Sequence, residues 1–259
     1  MTRHLSLTIA LVLLLVAAVA GCGETQPREA SAPADRLGLD AEVALGRALA
    51  PAVEEALGGR LGDLAVQAYV RTIGQTVGRS TPQPDLPYRF VVLDDGVPRG
   101  YALPGGVVFI TRGLLERLGS EAQLAAALGR QLAHINAGHV KAALMEKVDL
   151  AALRRVAAAG EVPPGKPPPK EDVARLVEAV RASAYSAEAE READALALDY
   201  LAAAGYNPNH MAACLRQVSA DEDRIRRVTD IAERKYAERR GRVAEDEYAR
   251  EVLDRLRGP

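Results

Sequence analysis

Hydrophobic residues are concentrated in distinct segments of this chain, and the first segment lies at its amino terminus. An apolar run covers Leu5–Ala20, follows Arg3 and His4, and leads into Val19-Ala20-Gly21-Cys22. The run is short for a membrane-spanning helix, and small residues follow it directly. The pattern therefore predicts a secretory signal peptide.

The end of this segment is similar to a bacterial lipoprotein signal, in which the final cysteine is acylated and becomes the new amino terminus. We expect residues 1–22 to be such a signal ending at Cys22, whose acyl chains would anchor the protein to a membrane of the bacterial cell envelope, facing the periplasm. Gly23 would indicate the outer membrane if the host is Gram-negative. An ordinary signal peptide, or an amino-terminal anchor with an incidental cysteine, is the alternative.

Beyond Cys22 the polar and apolar pattern predicts a tether and then one domain. Residues 23–37 are rich in Pro, Ala, Ser, Glu and Gln and predict a flexible tether, which leaves 38–259 as a single domain. Its apolar periodicity and turn residues predict helices at 39–58 and 62–79, strands at 88–93 and 107–111, a long helix after Ser120, an exposed loop at 162–169, a second long helix at 171–204 and a charged helical tail from Asp221.

Composition narrows the class of fold and partner. Aromatic residues make up only 4% of the chain while Ala and Leu dominate, which favours helices over a β-sandwich. The net charge is −2, so no overall field attracts nucleic acid, and we expect no nucleic-acid partner. We predict an α+β fold that is mainly helical. Besides Cys22 the chain has only Cys214, so no internal disulfide is expected if Cys22 is acylated.

One pentapeptide in the long helix points to a particular chemistry. Residues 130–134 read Arg-Gln-Leu-Ala-His, where a zinc protease would carry His-Glu-x-x-His. On a helix, residues i and i+4 share a face, so two histidines there can hold one zinc ion, and the glutamate takes a proton from the zinc-bound water. Arg130 has no lone pair for a metal, and Gln131 cannot accept a proton as a carboxylate does. Taken alone, the pentapeptide also fits an alanine-rich core helix with an isolated histidine.

Three further segments favour the peptidase interpretation. Ala102-Leu103-Pro104-Gly105-Gly106 precedes a strand, and the stretches 185–194 and 204–208 follow the helix with His134. In this order and spacing, roughly residues 40–218 resemble metallopeptidase family forty-eight, the family of Ste-type CAAX proteases, Oma-type proteases and BepA-like lipoproteins. The resemblance implies a zincin-like metallopeptidase fold with a small β-sheet, whose edge strand pairs with a substrate peptide.

Motif matching to that family implies roles for individual residues. His134 and Glu190 fall on zinc-ligand positions, and Asp194 falls on a carboxylate next to the site. Glu190 and Asp194 are four residues apart and share a helix face, although a solvated acidic face is the alternative. The positions that would fall on the peptide-binding strand are Gly105, Gly106, Val107 and Val108.

The chain also departs from the family outside the pentapeptide. Arg99-Gly100-Tyr101 stands where the family usually has Asn-Ala-Phe, and no His-Pro element is recognisable before Asp223-Arg224-Ile225. On one regular helix His134 and His139 would point about 140° apart and could not hold one ion. We therefore expect no bound cofactor; zinc would be expected only if the chain is an active enzyme.

These observations lead to a hypothesis about what replaces the metal. Arg130 is expected to pair with Glu190 or Asp194, within ~4 Å between charged atoms, and Gln131 and His134 should complete a polar cluster. The leading function is a pseudopeptidase that binds or chaperones extended or unfolded envelope polypeptides. The alternatives are an active zinc metalloendopeptidase of envelope quality control and a purely structural lipoprotein.

Overall fold

The computed structural model of the protein describes residues 37–161, 163, 166–219 and 221–258. The predicted signal peptide, most of the predicted tether, Cys22 and Gly23 lie outside the described residues. In chain order the helices and strands are α1 (Leu39–Ala56), α2 (Leu64–Gly78), β1 (Arg89–Leu93), β2 (Gly100–Leu103), β3 (Val107–Thr111), α3 (Arg112–Leu115), α4 (Glu121–Asn136), α5 (His139–Met145), α6 (Leu150–Ala159), α7 (Lys170–Arg181), α8 (Ala187–Ala203), α9 (His210–Leu215), α10 (Glu222–Tyr236), α11 (Glu245–Tyr248), a π-helical turn (Ala249–Leu253) and α12 (Asp254–Arg257).

A three-stranded sheet lies between two layers of helices. Successive side chains of a strand point to opposite faces, and the two faces here bury different hydrophobic clusters. Phe90 and Val108 pack with residues of α2, α4 and α8, whereas Val91 and Phe109 pack with residues of α1, α6 and α7. The predicted α+β, mainly helical fold is confirmed. In the part of the chain that the structure describes, no helix is long and apolar enough to cross a membrane.

The long helix predicted after Ser120 is α4, and side-chain hydrogen bonds cap its start. The Ser120 side chain accepts a hydrogen bond from the backbone N–H of Gln123, 3.2 Å away. The Gln123 side chain in turn accepts one from the backbone N–H of Gly119, at 3.0 Å. These bonds satisfy two amide groups near the start of the helix and fix where it begins.

The single long helix predicted at 171–204 is wrong. The segment forms two helices, α7 and α8, separated by residues 182–186. Ser186 has an extended backbone and caps α8 by accepting a hydrogen bond from the backbone N–H of Ala189, 3.1 Å away. No Pro or Gly marks this break, so the apolar periodicity of the sequence predicted one continuous helix. The break brings Tyr185 to the candidate site.

The peptide-binding strand inferred from the family is also misplaced. The strand order is β1-β3-β2, and Val107 pairs with Arg89 on one side and with Leu103 on the other. A strand that is paired on both sides has no free backbone groups for a peptide. Val107 and Val108 are therefore interior residues of the sheet, while Gly105 and Gly106 form the β2–β3 turn with positive φ angles.

One of the two edges of the sheet is β2, a strand that the sequence did not predict. Arg99 accepts a hydrogen bond from the backbone N–H of Thr111 at 3.0 Å, and the antiparallel register then pairs Tyr101 with Phe109. In such a ladder, alternate residues direct both backbone groups at the partner strand. Gly100 and Ala102 therefore direct their N–H and C=O groups away from β3, toward the outer side of β2.

Candidate functional site

Helices α4 and α8 face each other across the site because small residues line their contact. A Cβ atom placed on Gly129 of α4 would lie 3.8 Å from the Cβ of Ala197 in α8, which is ordinary van der Waals contact. Alanine and glycine at these positions allow the two helices to approach closely. Arg130 and His134 of α4 consequently come within reach of Glu190, near the start of α8.

Arg130 contacts both carboxylates that the sequence analysis paired with it. Its Nη2 donates to Glu190 Oε2 at 2.7 Å, and its Nε donates to Asp194 Oδ1 at 3.1 Å. The side chain of Arg130 is only 11% exposed and that of Asp194 only 2%. The expected contact is thus present, and it is shielded from solvent.

A second arginine, which the sequence analysis did not identify, completes this group. Arg224 lies in the first turn of α10, where the side chain of Asp221 caps its backbone N–H at 2.9 Å. Its Nη2 donates to Glu190 Oε2 and to Asp194 Oδ1, both at 2.6 Å, and its Nε donates to Asp194 Oδ2 at 2.6 Å. We call Arg130, Glu190, Asp194 and Arg224 the ion cluster. It joins α4, α8 and α10.

The ion cluster keeps its carboxylates charged. Burial would raise the pKa of Glu190, but the neighbouring His134 and the positive charges of Arg130 and Arg224 outweigh it and lower that pKa to about 2. His134 Nε2 is 3.7 Å from Glu190 Oε2, too far for a good hydrogen bond, so the two guanidinium groups are the stronger influence. Glu190 is therefore ionised throughout the physiological pH range.

His134 is fully buried, and one of its ring nitrogens lacks a partner. Among the described residues, none forms a hydrogen bond with His134 Nε2. The ring of Tyr185 stacks on the imidazole with centroids 3.8 Å apart and an interplanar angle of 16°. Burial lowers the pKa of His134, Glu190 opposes this and Arg130 adds to it, so the imidazole is neutral at pH 7.

His139 lies beside His134, contrary to the expectation from the sequence. Helix α4 ends at Asn136, and Gly138, with φ of 78°, turns the chain so that His139 begins α5. The two Nδ1 atoms are 3.2 Å apart. The predicted divergence assumed one continuous helix, which the left-handed conformation at Gly138 interrupts. The other nitrogen of His139, Nε2, lies 3.3 Å from Glu192 Oε2.

A cleft of about 210 Å³ lies between the ion cluster and strand β2. Residues 98–101 form one wall, and Ser183, Ala184 and Tyr185 of the α7–α8 connection form another. Cys214 also lines the cleft, but burial raises the pKa of its thiol to about 12, which leaves it protonated. Cys214 is buried.

Gln131 lies on the cleft wall next to β2 rather than within the ion cluster. A Cβ atom on Gly100 would lie 3.0 Å from Gln131 Nε2, so a larger residue there would require the amide to move by a few tenths of an ångström. Gln131 is 8% exposed, and no hydrogen bond joins its side chain to any other described residue. The cleft thus brings an unpaired amide next to the outward-facing backbone of Gly100.

The residues present do not fit a zinc ion. Of the expected ligand positions, His134 and Glu190 retain donor atoms, but Arg130 holds a guanidinium group where a third ligand would be required. Both guanidinium groups of the ion cluster contact the Glu190 oxygen that lies closest to His134. A divalent cation there would meet two positive charges. Within the described ranges, no group of three or more His, Cys, Asp or Glu side chains could hold a metal.

The profile of Peptidase family M48 matches residues 64–237, which is more than half of the chain and includes the ion cluster. The chain belongs to this family. The resemblance to metallopeptidase family forty-eight is therefore confirmed, and the zincin-like fold follows from membership of that family. The match spans Arg130 and Gln131, the positions at which the sequence analysis expects the family's zinc motif.

Individual relatives are similar at low identity. The chain is 24% identical over 233 residues to a beta-barrel assembly-enhancing protease of Yersinia pestis, covering 82% of this chain and 46% of that protein. It is 25% identical over 156 residues to a putative beta-barrel assembly-enhancing protease of Vibrio cholerae, covering 58% and 32% respectively. A beta-barrel assembly-enhancing protease of Escherichia coli K12 is 21% identical over 163 residues, covering 61% and 34%. The chain therefore spans less than half the length of each relative.

The ion cluster generates a stability prediction that can be tested by a double-mutant cycle. Arg130→Gln and Arg224→Gln should each lower the free energy of unfolding by about 1–3 kcal/mol, because the remaining arginine still contacts both carboxylates. The double variant should lose about 1–2 kcal/mol more than the sum, because Glu190 and Asp194 are then left buried without a cation. Urea denaturation at neutral pH measures each value.

Arg112→Gln is the matched control, since Arg112 also bridges two carboxylates but its partners Asp94 and Glu116 are exposed. We expect it to cost less than about 1 kcal/mol. Equal costs for Arg112→Gln and Arg130→Gln would show that the ion cluster does not stabilise the fold.

Proposed function

We propose that this chain is a membrane-anchored pseudopeptidase of the bacterial envelope, which binds extended polypeptides in the cleft and does not hydrolyse them. The observation that carries the proposal is the pair of guanidinium groups, from Arg130 and Arg224, on one oxygen of Glu190. The position that should supply a metal ligand supplies a cation, and the position that should supply a general base supplies Gln131. Hydrolysis by the family's chemistry requires both functions.

Loss of hydrolysis leaves the peptide-binding features in place. In the described part of the chain, the outward backbone groups of Gly100 and Ala102 have no hydrogen-bond partner beyond β2. Free edge strands bind extended peptides through main-chain hydrogen bonds, which depend little on peptide sequence. Gln131 and Tyr185 flank the same edge and can contact a peptide lying along it. This arrangement suits a holding or chaperoning role, and the name of the similar beta-barrel assembly-enhancing proteases suggests envelope proteins as clients.

Metal binding and hydrolysis provide the first test. After incubation with zinc, the purified full chain should hold much less than one zinc ion per chain. It should also not cleave an unfolded protein. The double variant Arg130→His, Gln131→Glu should bind about one zinc per chain, because it restores the missing ligand and the Glu190 Oε1 atom accepts no hydrogen bond from the described residues.

The single variant Gln131→Glu is the control, since it restores the base but keeps Arg130, and it should bind no more zinc than the unaltered chain. Elemental analysis after gel filtration measures the metal content. Cleavage by the unaltered protein that a chelator abolishes, and that His134→Ala also abolishes, would favour the active metalloendopeptidase instead.

Peptide binding to β2 provides the second test. Fluorescence anisotropy should detect binding of a labelled, extended peptide to the full chain. Alternate N-methylation of that peptide should preserve binding, because one edge of the peptide still carries free N–H groups. Methylation of every amide should abolish it, because no edge can then donate to β2. Equal binding of the alternately and the fully methylated peptides would rule out strand addition, and absence of binding by the unmethylated peptide would leave the structural-lipoprotein alternative.

Anchoring through Cys22 provides the third test. The apolar run followed by Val-Ala-Gly-Cys motivates it, although this segment lies outside the described residues. Cys22→Ser should abolish labelling by a fatty-acid analogue and move the protein from the membrane fraction to the soluble fraction. Cys214→Ser should leave both unchanged. Persistent labelling of Cys22→Ser would contradict acylation at this residue.

A further inference from the structure

More positive than negative side chains line the cleft. Three arginines contribute to its walls, Arg99, Arg130 and Arg224, whereas Glu190 is the acidic residue among the lining side chains. Even when Asp194 is included, three guanidinium groups stand against two carboxylates. His134 is neutral because of its burial and does not change this balance. The cleft therefore carries a net positive charge.

The hydrogen-bonding capacity of these arginines is not exhausted by their partners. Arg130 and Arg224 each use Nε and Nη2 for the ion cluster, and neither Nη1 donates to another described residue. Arg99 donates from Nη1 to the backbone carbonyl of Arg181 at 3.3 Å. Within the described residues, no carboxylate lies within ion-pair distance of Arg99. A guanidinium group without an anionic partner at the entrance of a cleft is suited to bind one.

Two polar groups deeper in the same cleft independently indicate a missing ligand. The amide of Gln131 is 8% exposed and makes no hydrogen bond within the described chain. His134 Nε2 is fully buried, lines the same space and also lacks a partner there. Buried polar atoms are usually satisfied, so the unpaired His134 Nε2, with the solvent-accessible and unpaired amide of Gln131 beside it, favours an incoming polar molecule.

We propose that the cleft contains a carboxylate-recognition site, with Arg99 as its principal residue and the free Nη1 groups of Arg130 and Arg224 further in. The ligand is a carboxylate carried by the bound polypeptide, either an acidic side chain or the carboxyl terminus. This inference rests on the proposed peptide-binding function and adds a preference to it. Main-chain pairing along β2 would hold a polypeptide of any sequence, and the arginines would select segments that place a carboxylate beside Gly100.

The test compares labelled peptides that differ only in one carboxylate. One peptide has a central Glu and an amidated carboxyl terminus, a second has Gln in its place, and a third has Gln and a free carboxyl terminus. The full chain should bind the first or the third about fivefold more tightly than the second, as expected for one partly exposed ion pair. The tighter of the two identifies the source of the carboxylate. The preference should weaken with added salt.

Variants of Arg99 assign the preference to the site. Arg99→Gln should reduce the affinity ratio to about one, and Arg99→Lys should retain part of it because the charge is kept. Arg79→Gln is the matched control, because Arg79 is also exposed and has no carboxylate partner in the described chain but lies outside the cleft. This variant should keep the full ratio. Thermal denaturation followed by circular dichroism checks that each variant is folded.

The possible outcomes separate this inference from the proposed function. Equal affinity for all three peptides, or a full preference in Arg99→Gln, would overturn the carboxylate site while peptide binding itself remains. Absence of binding for every peptide would overturn both the carboxylate site and the proposed peptide-binding function. A preference that Arg99→Gln removes and Arg79→Gln keeps would support both.

Discussion

The candidate site is organised by the contact of two guanidinium groups with the same oxygen of Glu190. Arg130 and Arg224 reach that oxygen from different helices, and both also contact Asp194, which is almost completely buried. Two carboxylates this close could not remain ionised in a shielded position without cations beside them. This group of charges therefore links α4, α8 and α10, which also share one hydrophobic core.

A buried ion cluster gives less stability than its number of contacts suggests. Each charged group loses hydration when it enters the fold, and the attraction between opposite charges mainly compensates that loss. Its more important effect is geometric, because a misplaced helix would leave a charge unpaired. The ion cluster holds the wall of the cleft opposite β2 at a fixed distance, which a peptide-binding groove requires. A zinc ion would impose a similar constraint through directed ligand bonds, so the fold can keep its cleft without the metal.

The sequence predicted the local features of this site better than its long-range ones. Ser120 and Gln123 marked the start of α4, and the spacing of Glu190 and Asp194 placed both acids on one helix face. Arg224 was noted only as part of the segment that the family's His-Pro element should precede, and its role was missed because its partners are distant in sequence. Strand β2 was missed because it has only four residues and begins with glycine, which weakens any strand signal.

Other errors came from assuming that regular elements continue. The approach of His139 to His134 requires the left-handed backbone at Gly138, a turn signal that the sequence contained but that was not used. The break before α8 offers only the Ser186 cap, a much weaker signal than Pro or Gly. Assignment of the peptide-binding strand failed for a topological reason, since the order of strands in a sheet depends on contacts that no local pattern specifies.

The two departures in the zinc motif are coupled through charge. A working site of this family would contain a zinc ion of charge +2 and a glutamate of charge −1 at position 131. Compared with that site, a cleft without the ion would have two fewer positive charges, Arg130 would restore one, and the neutral Gln131 would remove one negative charge. The sum is zero, so the interior of the cleft keeps the balance that Glu190 and Asp194 require. Arg130 with a glutamate still at position 131 would leave a poorly solvated carboxylate without a partner, which explains why a neutral side chain of the same size accompanies the arginine.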